Sequence, residues 1–246
     1  MRLDLHYTEP RLVELYDRDN PRGADTDFYL ALANDKSARR IIDLGCGTGL
    51  LTCELALNGR QVIGIDPSPA MLAIAKRKPA AELVKWIEGD ADSLGAFEAD
   101  LSLMTGNVAQ VFLDDIEWDT VLNALYRALK PEGYLAFESR NPLARAWETW
   151  VREKTYEQVE TPFGPLECWL ELRNIEEGRV RFAGYNIFKN TGEELIVESE
   201  LRFRTHTELT DSLVKAGFTI EQLYGNWQKD PFTPSSRHMI FVARRD

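Results

Sequence analysis

The sequence predicts an α/β protein in which a mostly parallel sheet carries an antiparallel insert. Between residues 40 and 138, short apolar runs alternate with helical patterns. That alternation is typical of βαβ units and of a parallel sheet covered on both faces. From about 156 to 205, apolar and polar residues alternate without helical patterns, which indicates a second, three-stranded antiparallel unit.

The elements follow in a regular order. Five strands are predicted before the insert: RIIDL (40–44), QVIGI (61–65), LVKWI (83–87), DLSLM (100–104) and GYLAFES (133–139). Helices are predicted near 50–58, 68–77 and 117–129. After the insert, THTELTDSLVKAG predicts a helix with a Thr205–Glu208 capping box and a left-handed Gly217. Two further strands, FTIEQLY and HMIFVAR, follow it.

This order divides the chain into a core, residues 1–140 and 205–246, and an insert, residues 141–204. The insert leaves the core after its fifth strand. Open α/β sheets bind ligands at the carboxyl ends of their strands, so an insert there is placed to cover a site. We expect it to be a lid, or an element that forms a homodimer.

Composition excludes several classes of protein. The net charge of −11 opposes binding to a phosphate backbone, and no apolar run approaches the roughly 20 residues of a membrane helix. The three cysteines form no CxxC pair and the chain has only three histidines, so no metal site is expected. The first residues lack the apolar core of a secretory signal. We expect a cytoplasmic protein without a nucleic-acid or membrane partner.

A glycine-rich loop follows the first strand in IIDLGCGTGL, with Gly45, Gly47 and Gly49. Glycines at a strand-to-helix turn let a ligand lie against the free N–H groups of the helix. A dinucleotide motif places its third glycine one residue later, where this chain has Leu50. A tight turn that binds nothing is the alternative.

Acids follow the first three strands. Asp66 can accept both hydroxyls of a ribose, although it can also be a helix-opening acid beside an N-cap at Ser68. Asp43, two residues before the first glycine, repels a pyrophosphate and attracts an ammonium group. Asp90 and the N–H of Ala91 can meet an adenine edge. The set favours a nucleoside that carries an amino acid.

These ordered motifs resemble the class I S-adenosylmethionine-dependent methyltransferases. The resemblance runs from IIDLGCGTGLLTCELA through VIGIDPSPAMLAIAKRK, WIEGDADSL and DLSLMTGNVAQVF to LNALYRALKPEGYLAFES, and resumes in the last helix and two strands. It implies a Rossmann-like seven-stranded sheet of order 3-2-1-4-5-7-6 with the last strand antiparallel, and S-adenosylmethionine as cofactor.

The resemblance also implies the cofactor's contacts. The methionine moiety would lie on Gly45, Gly47 and Gly49 with its amino group at Asp43, the ribose at Asp66, the adenine at Met71, Asp90 and Ala91, and the sulfonium near Thr105, Gly106 and Asn107. Related enzymes close the cofactor with an N-terminal tyrosine, for which we choose Tyr16. Aromatic packing of an N-terminal helix is the alternative for that residue.

The methyl acceptor is less defined. Relatives that methylate nucleobases or a glutamine amide carry D/N-P-P-Y/F after the fourth strand, where this chain has TGNVAQVF. We therefore predict methyl transfer to a nitrogen or oxygen of a small molecule. The candidates for acceptor contact are Gln110, Arg140, Trp147 and Trp227. No residue is assigned as catalytic, because an activated sulfonium donor needs positioning more than a base.

Two other functions stay open. A protein that binds the cofactor without catalysis, as an interaction module, would carry the same motifs. An NAD-dependent oxidoreductase is disfavoured by the glycine spacing, by Asp43 and by the lack of a Tyr-x-x-x-Lys pair.

Overall fold

The computed structural model describes residues 3–95 and 97–246. The helices there are α1 (Pro10–Asp19), α2 (Ala24–Asp35), α3 (Leu50–Ala56), α4 (Pro69–Ala75), α5 (Asp115–Ala128), α6 (Arg152–Thr155) and α7 (His206–Lys215). The strands are β1 (Arg40–Leu44), β2 (Gln61–Asp66), β3 (Val84–Glu88), β4 (Ala99–Met104), β5 (Leu129–Arg140), β6 (Glu157–Thr161), β7 (Gly164–Glu176), β8 (Arg179–Phe188), β9 (Glu193–Arg202), β10 (Phe218–Tyr224) and β11 (His238–Arg245). No helix within the described segments is long and apolar enough to cross a membrane.

The larger sheet has the order β3-β2-β1-β4-β5-β11-β10. Neighbours from β3 to β5 pair in parallel, whereas β11 is antiparallel to both β5 and β10. Counted without the insert, this is the predicted order 3-2-1-4-5-7-6 with the last strand antiparallel. The fold prediction is confirmed.

The sheet is covered on both faces because successive side chains of a strand point in opposite directions. Ile41 and Ile42 in β1 are fully buried on opposite faces. Ile42 belongs to the apolar cluster that contains Leu125 of α5, and Ile41 to the one that contains Leu55 of α3. Burying a side chain of this size contributes roughly 2 kcal/mol.

Local signals start and stop the helices as the sequence predicts. Ser68 caps α4, because its Oγ accepts a hydrogen bond from the Met71 N–H at 3.1 Å. At α7 the capping box is present: the Glu208 N–H donates to Thr205 Oγ1 at 3.2 Å, and the Thr205 N–H donates to Glu208 Oε2 at 2.7 Å. Gly217 follows the helix with a φ of +96°.

The insert forms a separate antiparallel sheet of order β6-β7-β8-β9. The prediction of three strands is wrong, because β6 (Glu157–Thr161) adds a fourth along β7. Strand β6 is short, polar and largely exposed, so it has no apolar alternation to reveal it. The predicted turns EEG and NTGE are present between β7 and β8 and between β8 and β9.

Helix α1 covers part of the insert. Leu12 and Leu15 of α1 pack with three insert residues, Leu166, Phe188 and Val197. The Arg11 guanidinium lies 4.3 Å from the centre of the Phe188 ring. Helix α1 also forms an ion pair from Glu14 to Arg77, just after α4, so it connects the insert to the core.

Candidate active site

A pocket opens at the carboxyl ends of β1 to β4, where open α/β sheets bind ligands. Eight of the residues that the sequence predicts for the cofactor line it: Tyr16, Gly45, Gly47, Asp66, Asp90, Ala91, Thr105 and Gly106. Its remaining wall is Leu3, Tyr7, Leu44, Pro67, Val108, Val111 and Phe112. The structure thus brings together residues that lie far apart in the chain, from Leu3 to Phe112.

The three glycines of the loop all adopt a positive φ, and they differ in the space that a side chain would have. Gly45 has a φ of +75°, and a Cβ there would lie 2.5 Å from Val108 Cγ2. Gly47, with a φ of +53°, faces more open space, since the atom nearest to its Cβ position is Tyr16 Cε1 at 3.9 Å. A ligand can therefore approach the main chain at Gly47.

Asp66 is fixed at the pocket by two backbone donors. Its Oδ2 accepts from the Gly47 N–H at 2.9 Å and its Oδ1 from the Ser68 N–H at 2.8 Å. Burial raises the pKa of the carboxyl, and the two N–H bonds counteract part of that shift. Each oxygen retains a lone pair, so the carboxylate can accept two hydroxyl groups of a ligand.

Asp43 lies at the end of β1, is only 1% exposed and is not part of the pocket surface. Its Oδ2 accepts from Thr52 Oγ1 at 2.6 Å, whereas its Oδ1 is buried without a partner among the described residues. Burial raises the pKa of Asp43 to about 6, although the Thr52 hydrogen bond opposes that shift. A buried carboxylate oxygen without a partner is costly, and a cationic donor would relieve that cost.

Three other predicted cofactor residues are not at the pocket surface. Gly49 faces away, because a Cβ there would lie 2.6 Å from the ring of Trp86 and 2.9 Å from Ala75. Met71 is fully buried. Asn107 adopts a φ of +63° and leaves its Oδ1 buried without a partner among the described residues.

Two tyrosines from the N-terminal segment close the pocket. Tyr16 is carried by α1, and its ring centre lies 6.3 Å from that of Tyr7. The Tyr7 carbonyl accepts a hydrogen bond from Ser68 Oγ, which ties this segment to the start of α4. Burial raises the pKa of Tyr16 to about 12 and that of Tyr7 further, so both phenols stay protonated. The sequence prediction did not include Tyr7, whose place depends on that tertiary contact.

Gln110 and Arg140, two of the acceptor candidates, lie beside each other. Gln110 is fully buried in the 3₁₀ turn Val108–Gln110, and its Oε1 accepts from Arg140 Nη1 at 3.0 Å. His238 is the register partner of Arg140 in β11, so both side chains stand on the same face of the sheet. Trp227, a third candidate, lies next to His238 with ring centres 5.4 Å apart.

Trp147, the fourth acceptor candidate, lies elsewhere. Its ring packs edge-on against Phe203 with centres 4.8 Å apart, in a small cluster with Val180 of the insert. It is 9% exposed. The structure therefore places Trp147 in the packing between the insert and the chain that leads back to the core.

Glu138, near the end of β5, is a buried acid that the sequence prediction missed. Its Oε2 accepts from the Tyr29 hydroxyl and its Oε1 from the Asn107 N–H, each at 2.5 Å. Burial raises the pKa of Glu138 to about 7, although these two hydrogen bonds oppose the shift. The signal that could have revealed it is an acid within the apolar run GYLAFES of a central strand.

Comparison with known proteins agrees with this geometry. Residues 41–133 match the family model described as a methyltransferase domain. The malonyl-[acyl-carrier protein] O-methyltransferase of Pectobacterium atrosepticum is 32% identical over 124 residues, 48% of this chain and 47% of that protein. The chain thus matches about half the length of this curated relative.

Solved structures extend the likeness in fold over the rest of the chain. The CcbJ methyltransferase from Streptomyces caelestis superposes with a TM-score of 0.81 at 20% identity, covering 96% of each chain. A sugar N-methyltransferase from Streptoalloteichus gives 0.75 at 20% identity, covering 94% of this chain and 92% of that one. The chain therefore carries a methyltransferase domain over residues 41–133, within a sheet whose strand order is the one expected for the class I S-adenosylmethionine-dependent methyltransferases.

Proposed function

We propose that the chain binds S-adenosylmethionine in the pocket at β1 to β4 and transfers its methyl group to a nitrogen or oxygen of a small molecule. One observation carries the proposal: the pocket joins the open backbone at Gly47 to the Asp66 carboxylate, and Asp43, close enough to Asp66 for their charges to interact, has a buried oxygen without a partner among the described residues. The Gly47 backbone matches the methionine moiety of the cofactor, Asp66 its ribose and Asp43 its amino group.

The residues present fit the cofactor's chemistry. Asp66 would accept the two ribose hydroxyls, and Asp90 with the Ala91 N–H would meet the adenine. The partnerless Oδ1 of Asp43 would accept from the ammonium group, and Tyr16 would donate its hydroxyl proton to the carboxylate. Thr105 and Gly106 would lie near the sulfonium.

The bound cofactor supplies an activated methyl group that is transferred by in-line displacement. The protein's contribution is then to hold the acceptor atom in line and to exclude water. The nearby phenols of Tyr7 and Tyr16 are protonated, so they act as hydrogen-bond donors rather than as bases.

A small-molecule acceptor agrees with the relatives. The Pectobacterium relative is named as an O-methyltransferase of a carrier-bound malonyl group, and the Streptoalloteichus structure as a sugar N-methyltransferase. A net charge of −11 disfavours nucleic acid. Because α1 packs on the insert and carries Tyr16 into the pocket, we favour the insert as part of a lid over a dimer element.

Calorimetric titration with S-adenosylmethionine, S-adenosylhomocysteine and NAD tests the cofactor. We expect the first two to bind at micromolar affinity or better and NAD not to bind. The second test measures S-adenosylhomocysteine formation with a panel of amines, alcohols, phenols and carboxylic acids. Tight NAD binding would reject the cofactor assignment, and cofactor binding without turnover across the panel would favour an interaction module.

A further inference from the structure

Arg140 is a partly buried cation without an acidic partner. It is the last residue of β5, beside the loop that follows β4. None of the ion pairs among the described residues involves it, although most of the chain's other arginines have a carboxylate within 4 Å. A guanidinium out of bulk water without a counterion is unfavourable, so a bound anion would stabilise it.

The hydrogen bonds of Arg140 leave one edge of the guanidinium free. Nη1 donates to Gln110 Oε1 at 3.0 Å, which fixes the plane of the group. Nε and Nη2 donate to no described residue. Neither atom is fully buried, so both N–H groups are accessible to a ligand. These two N–H groups form the fork that binds two oxygens of a carboxylate or phosphate.

The surroundings do not supply the missing charge. Glu138 stands on the same face two residues earlier, but its oxygens are taken by Tyr29 and Asn107 and burial raises its pKa to about 7. Burial, followed by the positive charge of Arg140, lowers the pKa of His238, which is therefore neutral at pH 7. The Trp150 ring lies 5.8 Å from the guanidinium carbon and offers an aromatic wall.

We propose that the Nε–Nη2 edge of Arg140 binds an anionic group, a carboxylate or a phosphate, on the methyl acceptor. The proposal rests on the proposed methyltransferase function and names the class of its substrate. The cofactor loops come from β1 to β4, whereas Arg140 ends β5, the next strand of the sheet. Arg140 is close enough to Tyr7 and Tyr16 of the pocket wall for its charge to act on both phenols, and its partner Gln110 belongs to the turn that follows Thr105 and Gly106.

The test measures whether small anions stabilise the protein through Arg140. Thermal unfolding is followed with saturating S-adenosylhomocysteine, so that the cofactor's own carboxylate is already in place. Inorganic phosphate, acetate or neutral acetamide is added at constant ionic strength. We expect each anion, but not acetamide, to raise the Tm by about 2 °C at several times its Kd. Arg140→Gln should abolish this shift, and Arg140→Lys should retain only part of it.

The matched control is Arg145→Gln, because Arg145 is an exposed arginine five residues away that already pairs with Glu148. It should respond to anions like the unmodified chain. Equal stabilisation of Arg140→Gln and the unmodified chain, or no stabilisation of either by any anion, would overturn the proposal.

A separate titration identifies the source of the anion. Arg140→Gln should leave the Kd of S-adenosylhomocysteine within two-fold of its original value. A ten-fold weaker affinity for it, with unchanged affinity for 5′-methylthioadenosine, would assign the fork to the cofactor's carboxylate and overturn the acceptor assignment. Failure of S-adenosylhomocysteine to bind the unmodified chain would instead reject the proposed function. The anion response tests only the role of Arg140, so the two failures can be told apart.

Discussion

The hydroxyl of Tyr29 donates a hydrogen bond of 2.5 Å to Glu138, joining α2 to the end of β5. The other oxygen of Glu138 holds the N–H of Asn107, whose φ of +63° places it in the left-handed region. Asparagine tolerates this region better than other residues with a side chain, and the hydrogen bond from its N–H to Glu138 helps to hold it there. Glu138 therefore positions the loop that lies between the cofactor pocket and Arg140.

The stability of the ligand-free chain should depend on the protonation of Glu138. Its pKa is about 7 in the fold and near 4.5 in the unfolded chain. A raised pKa means that its stabilising contribution is complete below pH 4.5 and is lost as the pH rises through 7. The free energy of unfolding should fall by on the order of 3 kcal/mol over that range. Asp43, whose pKa is also raised, should lower it further between pH 4 and about 6.

Glu138→Gln is neutral at every pH, so its free energy of unfolding should fall less between pH 5 and 8. Urea unfolding at several pH values measures the difference. Glu153→Gln, an exposed change in α6, should keep the original pH dependence. A Glu138→Gln variant with the same pH dependence as the unmodified chain would contradict the role assigned to burial.

Asp66→Ala should weaken binding of S-adenosylhomocysteine by about 2 kcal/mol, or roughly 30-fold in Kd, if both ribose hydroxyls bond to the carboxylate. Calorimetry measures the change. Asp211→Ala, at an exposed position of α7, removes the same charge elsewhere and should bind normally. An unchanged affinity in Asp66→Ala would show that this carboxylate does not bind the ribose and contacts only Gly47 and Ser68.

The grouping of these residues at one edge of the sheet could be predicted from the sequence because each lies at the end of a strand or just after it. Gly45, Asp66 and Asp90 each follow a recognisable apolar run, and parallel strands present their carboxyl ends at one edge. Their proximity in space is therefore a consequence of strand order. The roles within that edge were harder to assign, since Gly49 looks like Gly47 in the sequence but packs against Trp86.

Residues that act through distant contacts could not be predicted in this way. Glu138 lies inside a strand, and its partners Tyr29 and Asn107 are 109 and 31 residues away. Tyr7 reaches the pocket because its carbonyl is held by Ser68. Strand β6 depends on pairing with β7 rather than on its own composition. Each of these depends on tertiary contacts that local periodicity does not encode.

Gly47 and Gly49 should respond differently to alanine. At Gly49 a methyl group meets Trp86 and Ala75, so strain and overpacking together should cost about 3 kcal/mol of stability. The folded fraction should still bind S-adenosylhomocysteine. At Gly47 the methyl group has space in the ligand-free chain, so stability should fall by only about 1 kcal/mol, while affinity drops because the methyl occupies the pocket.

Urea unfolding and calorimetry on both variants separate these effects, since each glycine is the control for the other. The opposite outcome, in which Gly49→Ala loses affinity with little loss of stability, would show that Gly49 contacts the cofactor, as the sequence predicts.

Trp147→Ala should destabilise the protein without changing ligand binding. The ring is largely buried against Phe203, so its removal leaves a cavity that costs roughly 3 to 5 kcal/mol, whereas Trp147→Phe keeps part of the packing and should cost less. Urea unfolding measures both losses. The affinity for S-adenosylhomocysteine should stay unchanged at a temperature where the variants are folded, because no residue of the pocket belongs to this cluster. Trp150 packs on the cluster and lies beside Arg140, so the anion response is compared in Trp147→Phe, which keeps part of the packing and should retain that response. Loss of the anion response in a folded Trp147→Phe variant would instead place the ring at the acceptor, as the sequence alone suggested.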